Sequence, residues 1–259
     1  MHFDRMNVVF SRYVLVILVL AAWEILSVTT VLDPILFPPP SSIFLEMIRL
    51  IINGDFLSNF APSFKRILSG LIIGIGIGVP IGLLLGWFKL LYNFFSFFID
   101  FLRGVSALLL ITFAIIWFGT NDTARIFVLS YGVFFTTLLN TLNGVLSTDM
   151  NLINAARSMG ASTWMVVKRV LLPSALPSIL TGIRLAISIA WVVLVAVEMV
   201  AASSGLGFMV LLTLREFQIK QMYAYTLFIA LLAYLMNITL LYLARKILSW
   251  RKESTLGIF

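Results

Sequence analysis

The chain has 259 residues, 61% of them hydrophobic and only 11% charged, with a mean hydropathy of +1.08. A soluble globule carries roughly 25% charged residues, so that class is excluded. The chain has no cysteine and one histidine, His2; disulfides, thiolate metal sites and a histidine metal centre are excluded with them. In so apolar a chain the net charge of +7 is a topology signal, and no nucleic-acid partner is expected from it.

A helix needs about 20 mostly apolar residues to cross the hydrocarbon core of a bilayer. Six stretches qualify, at 13–32, 64–88, 97–118, 124–146, 175–200 and 222–247. The expectation is one all-α transmembrane domain over residues 1–259, without a soluble domain. The first stretch reads as an uncleaved anchor, because its apolar run from Tyr13 to Leu32 is long and lacks a small-residue cleavage site. The run from Asp33 through the prolines at 38–40 then stops that helix and stiffens the chain. Ser41 or Ser42 is expected to cap a short amphipathic helix reaching Ile52, closed by Asn53 and Gly54.

In the second span Gly70, Gly74, Gly78, Gly82 and Gly86 recur every four residues. That spacing keeps them along one helix face, where missing side chains admit another helix closely. Packing within the subunit, a dimer seam and a hinge all fit this pattern. The run lies inside an apolar span and lacks the Lys-Ser/Thr of a phosphate-binding loop, so it does not bind nucleotide.

Near the inner end of the third span Asp100 and Arg103 stand at i and i+3, within reach of an ion pair. Gly104 and Ser106 follow and favour an irregular helix. Glu198 lies in the apolar run 191–202 with no opposite charge adjacent in sequence. A carboxylate there faces water, a pathway or a partner on another helix. Arg103 and Glu198 are therefore the candidate translocation-path residues.

Lys and Arg set the orientation. With the N-terminus cytoplasmic, the inner side holds Arg5, Arg12, Lys89, Arg157, Lys168, Arg169, Arg245, Lys246, Arg251 and Lys252. The outer side holds Arg49, Lys65, Arg66, Arg125, Arg215 and Lys220. Ten against six favours both termini on the cytoplasmic side.

The loop 149–173 is the polar island of the chain. Asp149 is suited to cap a helix over about 150–158. Leu152, Ala155, Ala156 and Met159 form its apolar stripe, with Asn154, Arg157 and Ser158 off it. Gly160 falls where a left-handed turn ends that helix. Ser162 or Thr163 caps a further turn carrying Trp164, Val167 and Leu171, expected to lie along the interface. Pro173 and Pro177 then reset the chain into the fifth span. A small-residue face of this kind suits insertion into a groove of a soluble partner, and equally a helix tucked under the bundle.

Asn154-Ala155-Ala156, Gly160, Val170 and Leu172-Pro173 resemble the docking loop of ABC-importer permeases. The family pattern there is Glu-Ala-Ala, then Gly, Ile and Leu-Pro at these same spacings. Asn154 replaces the family's Glu, which removes any salt bridge that carboxylate would make, and Val170 replaces Ile. Leu36 to Pro40, Ile116 to Gly119, Leu139 to Leu142, Glu198-Met199 and Ala202 to Gly207 resemble the nitrate, sulfonate, taurine and bicarbonate branch. Arg103-Gly104-Val105-Ser106 departs from the branch's Arg-Pro-Ile-Pro.

The resemblance implies a six-helix importer permease fold, type I and MetI-like, with a cytoplasmic coupling helix. It implies a homodimer in the inner or plasma membrane and two ABC ATPase subunits docked on Asn154, Ala155, Ala156, Arg157, Gly160, Leu172 and Pro173. ATP and Mg would belong to those subunits, with no cofactor on this chain. An extracytoplasmic substrate-binding protein would deliver a small anionic or zwitterionic solute. Two other classes compete. A secondary transporter would need inverted repeats or interrupted spans bearing ion ligands, and an intramembrane enzyme would need a nucleophile–base or metal set that these residues do not supply.

Overall fold

The computed structural model describes residues 2–248, with side chains from Val14 onward. Arg251 and Lys252, and the side chains of Arg5 and Arg12, lie outside the described residues. Eleven α-helices make up the described chain: α1 (His2–Val28), α2 (Pro40–Ile52), α3 (Asp55–Trp87), α4 (Lys89–Arg103), α5 (Leu110–Phe118), α6 (Asp122–Leu146), α7 (Met150–Ser158), α8 (Thr163–Val166), α9 (Leu172–Ala201), α10 (Leu206–Arg215) and α11 (Ile219–Ile247). Four helical rods are long and apolar enough to cross a membrane: 55–87, 122–146, 163–201 and 219–247.

Two local expectations are corrected and one helix is added. The third span, expected over 97–118, is not one helix: α4 ends at Arg103 and α5 begins at Leu110. The non-helical link 104–109 is held where the Tyr131 hydroxyl donates to the carbonyl of Leu102. The serines at 41 and 42 do not cap α2. Instead Glu24 of α1 supplies the acceptor, taking Ser41 N–H at 3.0 Å and Ser41 Oγ–H at 2.7 Å. The chain also folds α10 between the fifth and sixth spans, in a stretch to which the sequence pattern assigns no element.

The core is built on α6, which packs against α3 on one side and α9 on the other. The glycines of α3 face α6 in one continuous seam. A Cβ on Gly70 would stand 2.7 Å from Leu129 Cβ, one on Gly74 2.5 Å from Val133 Cγ1, one on Gly82 2.7 Å from Thr141 Cβ and one on Gly86 2.5 Å from Val145 Cγ1. Gly78 meets Thr137 even more closely. Each contact joins residues 59 apart in sequence, as Gly70 to Leu129 and Gly86 to Val145. The two helices therefore run parallel and in register over about 24 Å. Helix α9 runs antiparallel to α6, with Gly144 against Ser178 at one end and Gly132 near Ile189 further along.

Gly76 supplies an internal control, because a Cβ there meets nothing within 4 Å. Gly78→Leu is expected to lower the melting temperature of the purified protein in detergent by several degrees, for an overpacking cost of about 1–3 kcal/mol. Gly76→Leu should leave it in place. Equal effects of the two substitutions would show that the ladder is not the seam.

Candidate functional site

Two polar regions stand at opposite ends of the bundle. The first is the loop that follows α6. Asp149 Oδ1 accepts Asn151 N–H at 2.9 Å and so caps α7. Ile153 and Ala156 turn inward and are buried with Val145, Val166 and Leu171. The expected stripe is thereby split: Ala156 packs under the bundle, while Leu152, Ala155 and Met159 remain exposed. The split follows from the apolar side chains beneath α7, which select the 153/156 side of the helix. Asn154 and Arg157 are exposed as well, and the Arg157 guanidinium carbon lies 5.8 Å from the centre of the Trp87 ring. This cation–π contact ties α7 to the end of α3.

Helix α7 ends on Gly160, whose φ is +82°. Its N–H bonds to Arg157 O at 2.9 Å, and Ala161 N–H bonds to Ala156 O at 3.0 Å. This is the paired closure that needs a left-handed residue. No atom lies within 4 Å of a Cβ placed on Gly160, so glycine is required there for its backbone and not for space.

The chain then turns back and does not lie along the interface as expected. Residues 163–201 form one rod, with Pro173 and Pro177 inside it. The reason is a π-helical turn at 167–171, closed by Leu172 N–H to Val167 O. Widening the turn by one residue relieves the clash that proline makes with the preceding turn. Between α7 and the start of α9 lies a groove of about 630 Å³, lined by Leu152, Ala155, Met159, Arg169, Val170 and Pro173, among others. Leu172 is half-buried beside it.

The second region is a charged cluster at the opposite end. Glu198 on α9 is 0% exposed and Arg66 on α3 is 3% exposed. Arg66 Nη1 stands 2.8 Å from Glu198 Oε1, and its Nε stands 2.7 Å from Asp122 Oδ1. Asp122 also accepts from Arg125 Nη1 at 2.7 Å. The Glu198 carboxylate takes Ser63 Oγ–H at 2.7 Å and Gly207 N–H at 2.9 Å. Leu206 N–H bonds in turn to Ser63 Oγ at 2.8 Å. The carboxylate thus sits at the N-terminus of α10, where free N–H groups and the helix dipole favour an anion.

Gly205, with φ +126°, lies against Glu198, and a Cβ on it would fall 2.5 Å from the carboxylate. The segment 202–207 is therefore a lid over Glu198. Arg66 Nη1 closes that lid by donating to Ser204 O at 2.7 Å.

Of the residues picked out from sequence, the structure brings Asn154, Ala155, Ala156, Arg157, Gly160, Leu172 and Pro173 to one end. It places Glu198 at the other. Arg103 is half exposed and pairs with Asp100 at 3.1 Å. Sequence reasoning missed Ser63, Arg66, Asp122 and Arg125 as a group. It read Arg66 and Arg125 as ordinary outer-side cations. The one available signal was the i, i+3 spacing of Asp122 and Arg125, the same spacing that marked Asp100 and Arg103.

Residues 78–251 match the profile of the binding-protein-dependent transport system inner membrane component family. The putative aliphatic sulfonates transport permease protein SsuC of Escherichia coli K12 is 33% identical over 243 residues, covering 92% of each chain. Its Bacillus subtilis counterpart is 32% identical over 235 residues, covering 91% of this chain and 85% of that one. The taurine transport system permease protein TauC of E. coli K12 is 30% identical over 239 residues, covering 90% of this chain and 87% of that one. A chain of the MetNI methionine ABC transporter, solved in an inward-facing conformation, superposes with a TM-score of 0.61 at 21% identity. It covers 78% of this chain and 97% of that chain.

Removing one member of the buried pair strands the other charge, at about 3–5 kcal/mol. Arg66→Met and Glu198→Leu are each expected to reduce the yield and melting temperature of the purified protein sharply. The double variant should recover part of both, since two apolar partners leave no orphan charge. A double variant no better than the singles would count against direct coupling.

Proposed function

The chain belongs to the family of binding-protein-dependent transport system inner membrane components and is a multi-pass ABC importer permease of the sulfonate, taurine and bicarbonate type, and we propose that it works as a homodimer driven by two separate ATPase subunits. The observation that carries this reading is α7, presented on the capped, Gly160-terminated turn beside a groove lined by Leu152, Ala155 and Met159. Such a feature fits a cleft in a soluble partner. The partner is an ABC ATPase, which supplies ATP and Mg; this chain binds neither. Asn154 removes the family's carboxylate, so docking rests on the shape of α7 together with Arg157.

The α7 end is cytoplasmic in this reading, with both termini on that side. Burial of Arg66 and Arg125 in ion pairs sharpens the charge argument. Both leave the outer tally, where Arg49, Lys65, Arg215 and Lys220 remain. The opposite end, bearing α2 and α10, receives a substrate-binding protein. ATP-driven closure of the ATPases draws the α7 helices together and tilts the bundles, which alternates access to a central path. The solute is a small anion or zwitterion, the class printed in the names of the sulfonate and taurine relatives. Arg103, exposed on α4, is a path residue. Glu198, sealed on all sides, holds α3, α9 and α10 together.

Gly160→Val tests this directly, because a β-branched residue cannot take φ +82° without strain. ATP-dependent uptake in proteoliposomes is expected to fall at least tenfold, in keeping with a lost docking geometry, while membrane insertion persists. An ATPase should co-purify with the unmodified chain. Undiminished uptake by the variant, or purification of an active carrier with no ATPase, would sink the reading.

A further inference from the structure

Three arginines in the spanning helices or at their ends have a carboxylate beside them. Arg66 reaches Glu198 and Asp122, Arg125 reaches Asp122, and Arg103 reaches Asp100. Arg184 on α9 is different. Among the described residues no carboxylate lies within ion-pair distance of it, and its side chain has one partner, the amide oxygen of Asn237 on α11, 3.2 Å from Nε. A guanidinium carries five N–H donors, so most of its hydrogen-bonding capacity and its whole charge are left unanswered.

The position makes this costly. Arg184 stands about 18 Å from the start of α9 and about 26 Å from its end, in a rod whose most apolar 18-residue stretch has a mean hydropathy of 2.2. An arginine facing lipid stretches along its helix toward the nearest interface. The bond to Asn237 instead holds this one sideways, against α11.

Thr181 and Ser188 stand at i−3 and i+4 from Arg184, so all three share a side of the helix. Both are exposed, as are Leu185 and Val192 between and beyond them. Their hydroxyls bond back to Pro177 O at 3.0 Å and to Arg184 O at 3.5 Å. Hydroxyls rotate, and each can turn outward to donate to a passing acceptor.

We propose that Thr181, Arg184 and Ser188 form an anion-contacting stripe on the translocation path, which takes the oxyanion group of the solute as it crosses. This deepens the transport reading and rests on it for the word path. The planar guanidinium matches the two oxygens of a sulfonate, carboxylate or bicarbonate group. One such group flanked by two hydroxyls holds its ligand weakly, as a path must if the solute is to leave. Asn237 positions Arg184 and does not touch the solute.

The chain contains no cysteine, so single cysteines report the stripe without background. The full-length chain carrying Thr181→Cys or Ser188→Cys, in nanodiscs of neutral lipid, is labelled with two small membrane-impermeant thiosulfonates. One bears a sulfonate and the other a trimethylammonium group. Both cysteines are expected to label, with a sulfonate-to-trimethylammonium rate ratio at least fivefold above that of the exposed reference Ser58→Cys. Arg184→Gln should lower that ratio at least fivefold, and Arg184→Lys should lower it less.

Failure of both positions to label would mean that lipid or a second copy covers the face, and would overturn the proposal. A ratio no higher than the reference, or one indifferent to Arg184, does the same. So does a stripe blocked by anionic lipid and by no free sulfonate, which would make it a headgroup site. A separate arm measures uptake of radiolabelled taurine, ethanesulfonate and bicarbonate by the assembled complex. If labelling behaves as expected and none is taken up, the solute class proposed above fails while the anion stripe stands.

Discussion

Lipid supplies no hydrophobic force to press two helices together, so α3 and α6 depend above all on close packing, and five glycines set the terms. With the side chains removed from one face of α3, Leu129, Val133, Thr137, Thr141 and Val145 of α6 fill the space. A slip of one residue would drive bulkier α3 side chains onto that ridge. The register continues beyond the glycines. One turn before Gly70 stands Arg66, and one turn before Leu129 stands Arg125, with Asp122 bridging the two. At the far end, Gly86 on Val145 is followed by Trp87, which carries the Arg157 contact. The same interlock that fixes the seam therefore positions both polar ends.

Those ends treat polarity in opposite ways. At one, charge is enclosed: Glu198 is sealed by a guanidinium, a hydroxyl, a backbone N–H and a glycine that leaves no room for water. Inside a low-dielectric bundle such a network is worth keeping only when every member is satisfied, and here the carboxylate is. At the other, polarity is displayed. Leu152, Asn154, Ala155 and Met159 stay exposed because α7 spends only Ile153 and Ala156 on the bundle. A sealed end is built to stay together, and a displayed end is built to be touched.

Much of this was legible in sequence because it is periodic or local. The glycine spacing announced a close seam, and the Asp149 and Gly160 signals bracketed α7, since caps and left-handed turns depend on a few adjacent residues. What stayed hidden depends on tertiary partners. Ser41 looked like its own cap until Glu24, 17 residues earlier, took the role. Pro173 and Pro177 looked like a change of direction, and a π turn upstream absorbed the first of them. Arg66 and Glu198 are 132 residues apart, and no local pattern joins them. The break at 104–109 was signalled by Gly104 and Ser106, yet the apolar length of 97–118 argued for one helix, and length alone does not report a kink.

The loop 149–173 is joined to the bundle at several points. A short link ties α7 to α6, Arg157 on Trp87 ties it to α3, and the Gly160 turn leads into the rod that becomes α9. Helices α3, α6 and α9 are themselves interlocked, and at the far end the Arg66–Glu198–Asp122 network joins the same three. Weak points lie elsewhere: at the link 104–109 and along the exposed α4, which packs mainly on α3 and is tied to α6 by the Tyr131–Leu102 bond. The attachments of α7 therefore reach the same three helices that the buried charge network joins at the opposite end, and α4 stands outside both sets.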